Sequence, residues 1–299
     1  MLFQWDLNKK EQHGDFIELS EMLFNKRINA AVSSIATVEG LKVITIAGPT
    51  SSGKTTTAFK FSESLYREYK IKSKIISLDD FYKNKSEIPR KADGSLDFEV
   101  VGAIDVALIL KCVNELITNH ETFTPKFDFM IGGRGKDEHM TLAGDEVVIL
   151  EGLHGLNPAI TDNLPKGKFK SVYITIAEKM YLPGNIVISQ RDVRLMRRLI
   201  RDYKYRNAAP ERTFELWESV CDSEEVTIFP FEYNADFYIN SLHDYEVCVV
   251  KRQAEELLKR IAEDSKYRPK ADDLIHKLAH VPEIDEGLVP KDSLLREFI

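Results

Sequence analysis

The 299 residues suffice for one large domain or two small ones with a substantial core. With 48 acidic against 41 basic residues the net charge is −7, which argues against a general polyanion-binding surface and confines any basic site to a local patch. Three scattered cysteines, Cys112, Cys221 and Cys248, make neither a CxxC pair nor a metal-ligand cluster, so a reduced, cytoplasmic protein is expected.

The first residues hold no signal-like apolar core, and no apolar run reaches the roughly 20 residues that span a bilayer. Neither a membrane nor a nucleic acid is expected as partner. Apolar residues at helical spacing from Phe16 to Val38 predict a leading helix, which makes residues 1–40 an N-terminal helical segment. Residues 41–299 read as the main domain with a C-terminal helix and tail. Within them LKVITI (41–46), KIISL (74–78), EVVILE (146–151), SVYITI (171–176) and ADFYIN (235–240) are short β-branched runs, as buried parallel strands require. Helical patterns lie between or after them, at Thr55–Tyr69, Ala103–Asn119, Asp192–Tyr205 and Asp244–Ala262. The alternation predicts an α/β sheet with helices on both faces. The polar stretch Asn84–Glu99, with Pro89 and Asp93-Gly94, is long for a plain connection and is expected to be functional. Beyond Lys266 the chain turns polar and proline-punctuated, which predicts a tail lying on the domain.

After the first strand comes Gly48-Pro49-Thr50-Ser51-Ser52-Gly53-Lys54-Thr55, the pattern G-x-x-x-x-G-K-[ST] between strand and helix. Gly48 and Gly53 let the backbone turn so that successive N–H groups converge on phosphate oxygens, aided by the positive end of the helix. Lys54 reaches the terminal phosphates and Thr55 offers a hydroxyl to magnesium. Thr50, Ser51, Ser52 and Thr56 complete the loop and first helical turn. In an open parallel sheet, ligands bind beyond the C-terminal strand ends. There, Glu151 suits magnesium, directly or through water, and Asp79 suits the proton of an attacking hydroxyl, close to the same metal.

A GTPase switch would also use such a loop, but D-x-x-G is missing, and the nearest match to N-K-x-D, Asn84-Lys85-Ser86-Glu87, ends in the wrong acid. Arginines 191, 194, 198 and 201 fall on one helical face with Arg197 beside them, which predicts an arginine-bearing lid over transferring phosphate. Asp128 and Arg134 are further candidates for substrate contact. His154, a lone loop histidine, reads as polar packing.

The ordered set GPTSSGKT (48–55), SLDDFYKN (77–84), LDFEVVGAIDV (96–106), TPKFDFMIGGR (124–134), VVILEGLHGLNP (147–158) and DVRLMRRLIRDYKYR (192–206) resembles the uridine kinase and phosphoribulokinase family of P-loop kinases. The resemblance implies a P-loop NTPase fold, α/β, with a parallel five-stranded sheet, helices on both faces and an arginine-bearing lid. It implies transfer of the ATP γ-phosphate, with Mg2+, to a small-molecule hydroxyl acceptor, the 5′-hydroxyl of a nucleoside such as uridine or cytidine. On it, Asp79 is the base, and Tyr82, Glu99, Phe127 and Phe129 line the nucleoside pocket. Arg194, Arg197 and Arg206 belong to the lid and phosphate side. Two departures stand out: Phe127 and Gly132 replace a Tyr and a His that read the pyrimidine in uridine-cytidine kinases, and Cys221 and Asp222 replace two arginines. A kinase of another sugar or polyol hydroxyl, a regulatory nucleotide-binding module and homo-oligomerisation stay open.

Overall fold

The computed structural model describes residues 5–128, 131–182 and 184–299. Helix α1 (His13–Ile35) buries a stripe of Phe16, Phe24, Ile28, Val32 and Ile35. Strand β1 (Val43–Ala47), α2 (Lys54–Tyr69) and β2 (Ser73–Ser77) follow, then a 3-10 turn Leu78–Phe81 and α3 (Val106–Asn119). Next come β3 (Val147–Glu151), α4 (Pro158–Thr161), β4 (Phe169–Thr175), α5 (Gln190–Arg206), α6 (Pro210–Thr227), β5 (Phe237–Asn240), α7 (Glu246–Leu258) and α8 (Arg268–Ala279).

The five strands form one parallel sheet in the order β2–β3–β1–β4–β5. Strands β1 and β3 are buried throughout, because alternate side chains enter two different cores. Ile44, Ile46 and Ile149 pack with Phe24, Val32, Phe61 and Leu65 from α1 and α2. Val43, Val148 and Leu150 pack with Ile109, Val113 and Leu116 from α3. Strand order reverses at β1, so the crevice for a ligand opens at its C-terminal end. This is the expected P-loop NTPase fold.

Three short antiparallel pairs decorate it: Glu121–Thr124 with Glu138–Thr141, Phe127–Asp128 with Gly133–Arg134, and Met180–Leu182 with Ile186–Ile188. Besides the four-residue α4, two helices depart from the sequence-based expectation. One is α6; the other is α8, which lies where a tail was expected and packs Ala271, Leu274 and Leu278 into a core shared with α5 and α7. The C-terminal residues do lie on the domain, with Leu294, Leu295 and Phe298 fully buried. Among the described residues no helix is long and apolar enough to cross a membrane, and all three cysteines are free and buried.

Helix α1 is tied to the sheet end by Glu21, which accepts from the Tyr245 hydroxyl at 2.6 Å and faces His243 at 3.5 Å. Burial pushes the Glu21 carboxyl up, but His243, Ser293 and Tyr245 outweigh it and hold the group at about 2, below its ordinary 4.5. A depressed folded value stabilises the fold above the unfolded value, and that contribution is lost as pH falls from 4.5 towards 2. Glu21→Gln is therefore expected to flatten the stability–pH curve over that window, measured by urea unfolding at each pH. An unchanged acid limb would remove Glu21 from the explanation.

Candidate active site

The loop after β1 turns through two glycines for steric reasons. A methyl group on Gly48 would stand 2.0 Å from the Ile174 carbonyl oxygen, and Gly53 holds φ of +88° with Leu294 where its side chain would be. Lys54, first residue of α2, donates to the Pro49 carbonyl at 3.0 Å, curling its ammonium over the loop. Thr50, Ser51, Gly53, Lys54 and Thr55 face a cavity of about 480 Å³, while Ser52 is buried behind them. Thr56 donates to Glu297 at 2.8 Å.

Parallel register aligns Glu151 of β3 with Ile46 of β1 and Ser77 of β2. Its Oε1 accepts from Ser77 at 2.7 Å and from Thr55 at 3.4 Å. Asp79 sits in the turn after β2, open to the same cavity. The enclosing protein thins its solvation and raises its pKa, while Lys54 and Arg206 oppose the rise. Burial, then the Asp79 charge, pushes Glu151 up to about 7. Lys54 is lowered by burial, against which Glu151 and Asp79 act. Two carboxylates both held above their ordinary range, with a threonine hydroxyl between loop and strand, form a site that a divalent cation would relieve. Among the described residues no group of three or more carboxylate, His or Cys side chains is placed to hold a metal ion.

Helix α5 starts on a capping box between Ser189 and Asp192; Arg191 is exposed and pairs with Glu225 away from the cavity, and the other arginines divide into two sets. Arg194 and Arg197 lie behind the phosphate loop. Arg194 forks onto Glu224 at 2.9 and 2.6 Å and reaches the Thr50 carbonyl at 3.4 Å, and Glu224 in turn accepts the Thr50 N–H at 2.8 Å. Arg197, fully buried, is forked onto Glu246 and donates to the Ser51 carbonyl at 3.2 Å. Arg198, Arg201 and Arg206 line the cavity instead. Asp202 holds Arg198 at 3.2 Å and Arg206 at 3.1 Å. Burial, then Arg206, brings Arg201 down to about 10, against the pull of Glu297 at 3.5 Å.

The other arm of the cavity is aromatic. Tyr82 packs against Phe98 and Phe127 with ring centroids 5.6 and 5.5 Å away, and its hydroxyl donates to the Phe98 carbonyl at 3.1 Å. Glu99 projects there with Oε2 buried and unpartnered among the described residues, and burial raises its pKa. Arg134 turns away: it donates to Asp105 at 3.0 Å and to the Tyr82 carbonyl at 3.3 Å, bracing the arm from outside. Phe129 lies outside the described residues. Cys221 is buried and Asp222 exposed; neither lines the cavity.

Reasoning from sequence missed several contributors. Glu224 and Glu246 hold the inner arginines, Glu297 reaches the loop from the far end of the chain, and Phe98 and Lys85 wall the aromatic arm. Phe98 had a visible signal, since it precedes Glu99 directly; the acids had none, because any acid in the chain could pair with an arginine.

The model of the "Phosphoribulokinase / Uridine kinase family" matches residues 43–248. The uridine kinase of Saccharomyces cerevisiae is 28% identical over 210 residues, which is 69% of this chain but 38% of that protein. The uridine kinase of Deinococcus deserti is 27% identical over 173 residues, 58% of this chain and 74% of that one. A solved kinase structure from Silicibacter sp. TM1040, named for a fructose transport system, aligns with 72% of this chain and 98% of its own at a TM-score of 0.51 and 14% identity, a likeness of fold alone. With the phosphate loop, the acidic strand end and the arginine helix in the matched region, the chain belongs to the phosphoribulokinase / uridine kinase family.

Proposed function

We propose that this protein is a magnesium- and ATP-dependent kinase that phosphorylates the 5′-hydroxyl of a nucleoside, uridine or cytidine. The observation that carries the reading is one continuous cavity with Lys54, Thr55 and Glu151 at one end, Asp79 between, and at the other an aromatic arm with Glu99, whose buried Oε2 has no partner among the described residues. Bound magnesium, held by Thr55 and Glu151 with Asp79 near, would neutralise charge on the transferring phosphate.

The rest falls to the chain's own groups. The loop amides and Lys54 hold the phosphates of ATP, and Arg198, Arg201 and Arg206 face the charge that develops on the transferred group. Asp79 accepts the proton of the acceptor hydroxyl as its oxygen bonds to phosphorus and the bond to the ADP oxygen breaks. Glu99 accepts hydrogen bonds from the ribose hydroxyls, and the rings of Tyr82, Phe98 and Phe127 take the base. Arg194 and Arg197 act at one remove, fixing the carbonyls of Thr50 and Ser51 so that the loop keeps its shape.

The test is magnesium-ATP turnover by the purified protein against nucleosides, sugars and polyols, with ADP and phosphorylated product both followed. Uridine- or cytidine-dependent ADP release with a 5′-monophosphate product is expected. Product from a sugar or polyol alone would replace the acceptor, and tight ATP binding without acceptor-dependent turnover would overturn the kinase reading.

A further inference from the structure

The arm of the cavity that should take the base has a wall the family resemblance did not lead us to expect. Gly132 stands in place of the pyrimidine-reading His of the uridine-cytidine kinases the chain resembles, and Lys85, from the loop after β2, fills the space. A methyl group on Gly132 would lie 2.2 Å from the Lys85 Cε and 2.5 Å from its Nζ. Gly132 also holds φ of +64°, and its N–H closes the Phe127–Arg134 turn onto the Asp128 carbonyl at 2.7 Å. A side chain at 132 is thus opposed both by backbone conformation and by the lysine.

Among the described residues Lys85 has no hydrogen-bond or ion-pair partner. The other lysine of this arm, Lys91, donates to the Ser219 hydroxyl. An ammonium offers three N–H donors and no acceptor, so it complements a carbonyl oxygen and not an amino group. With a 5′-hydroxyl at Asp79 and ribose hydroxyls at Glu99, the base lies among Tyr82, Phe98 and Phe127, and its far edge comes to the wall that Lys85 and Gly132 form.

We propose that Lys85 is the specificity-determining residue at that edge and that it selects a pyrimidine carrying a carbonyl oxygen over one carrying an amino group, so that uridine is preferred to cytidine. The inference rests on the nucleoside reading of the acceptor. Lys85 is exposed, so its hydrogen bond to the base replaces one to water, and the discrimination sits at the low end for a charged donor, about tenfold.

The experiment compares kcat/KM for uridine and cytidine in the full chain and in three variants. The unaltered protein is expected to favour uridine about tenfold, and Lys85→Met to bring the ratio within about threefold, mainly through a higher uridine KM. Lys85→Glu, an acceptor in place of a donor, should favour cytidine. Gly132→Ala, which displaces the lysine without altering it, should shift the ratio in the same direction as Lys85→Met. If both nucleosides are used equally by the unaltered protein, or Lys85→Met leaves a uridine preference intact, Lys85 is not the reader and the nucleoside reading survives. If neither nucleoside is phosphorylated while another hydroxyl compound is, the nucleoside reading falls and this inference falls with it.

Discussion

Asp79→Asn is expected to lower turnover about a thousandfold while changing magnesium-ATP affinity by no more than about threefold. Asparagine keeps the size and a hydrogen-bonding oxygen but cannot take a proton at neutral pH. The phosphate loop is built by Gly48, Gly53 and Lys54 with their own partners, so nucleotide binding does not depend on Asp79 as a base. Only deprotonated Asp79 is active, so the rate of the unaltered enzyme should climb with pH through the pKa of that carboxyl, which bound magnesium would bring down from its raised position in the metal-free site. Steady-state rates across pH, with calorimetric titration of ATP, test both halves. Near-normal turnover in Asp79→Asn would sink the base assignment.

The second large effect is on the fold. Arg197→Met is expected to destabilise the protein by about 3–5 kcal/mol, since it strands the Glu246 carboxylate in a fully buried site. Glu246→Gln should cost somewhat less, because an amide can still bond one edge of the guanidinium. Replacing both partners by apolar residues should recover most of the loss, as no charge is left without its partner. Urea unfolding of the two single variants and the double variant decides it. A cost below about 1 kcal/mol for Arg197→Met would show the pair to be dispensable. The variant that stays folded should also bind ATP less well, because the Ser51 carbonyl loses its brace.

What could be read in the sequence and what could not divide along physical lines. The five sheet strands stood out as short β-branched runs, most plainly in β1 and β3, where both faces are buried, and the phosphate loop because Gly48, Gly53, Lys54 and Thr55 each answer a separate requirement. Helix α6 was not recognised because its buried face includes Thr213 and Glu224 among Phe214, Trp217, Val220 and Cys221, which breaks the apolar period. Glu224 is buried only because Arg194 comes to meet it from another helix. In α8 just three residues, Ala271, Leu274 and Leu278, go inward, too few to be told from a tail. The arginines of α5 show the limit of periodicity. Spacing placed Arg194, Arg198 and Arg201 on one face, but Glu224 draws Arg194 inward while Arg198 and Arg201 meet the cavity. A helix's own period cannot say which neighbour carries an acid.

Leu294 against Gly53, Glu297 on Thr56 and Phe298 beneath Arg197 and Arg201 join the phosphate loop to residues some 240 positions later. During synthesis the loop leaves the ribosome some 240 residues ahead of the groups that seat it. Pairings so remote in sequence are slow to form, and in the meantime the glycine turn has nothing packed on it. The seating of the phosphate loop therefore waits on residues translated some 240 positions after the motif itself.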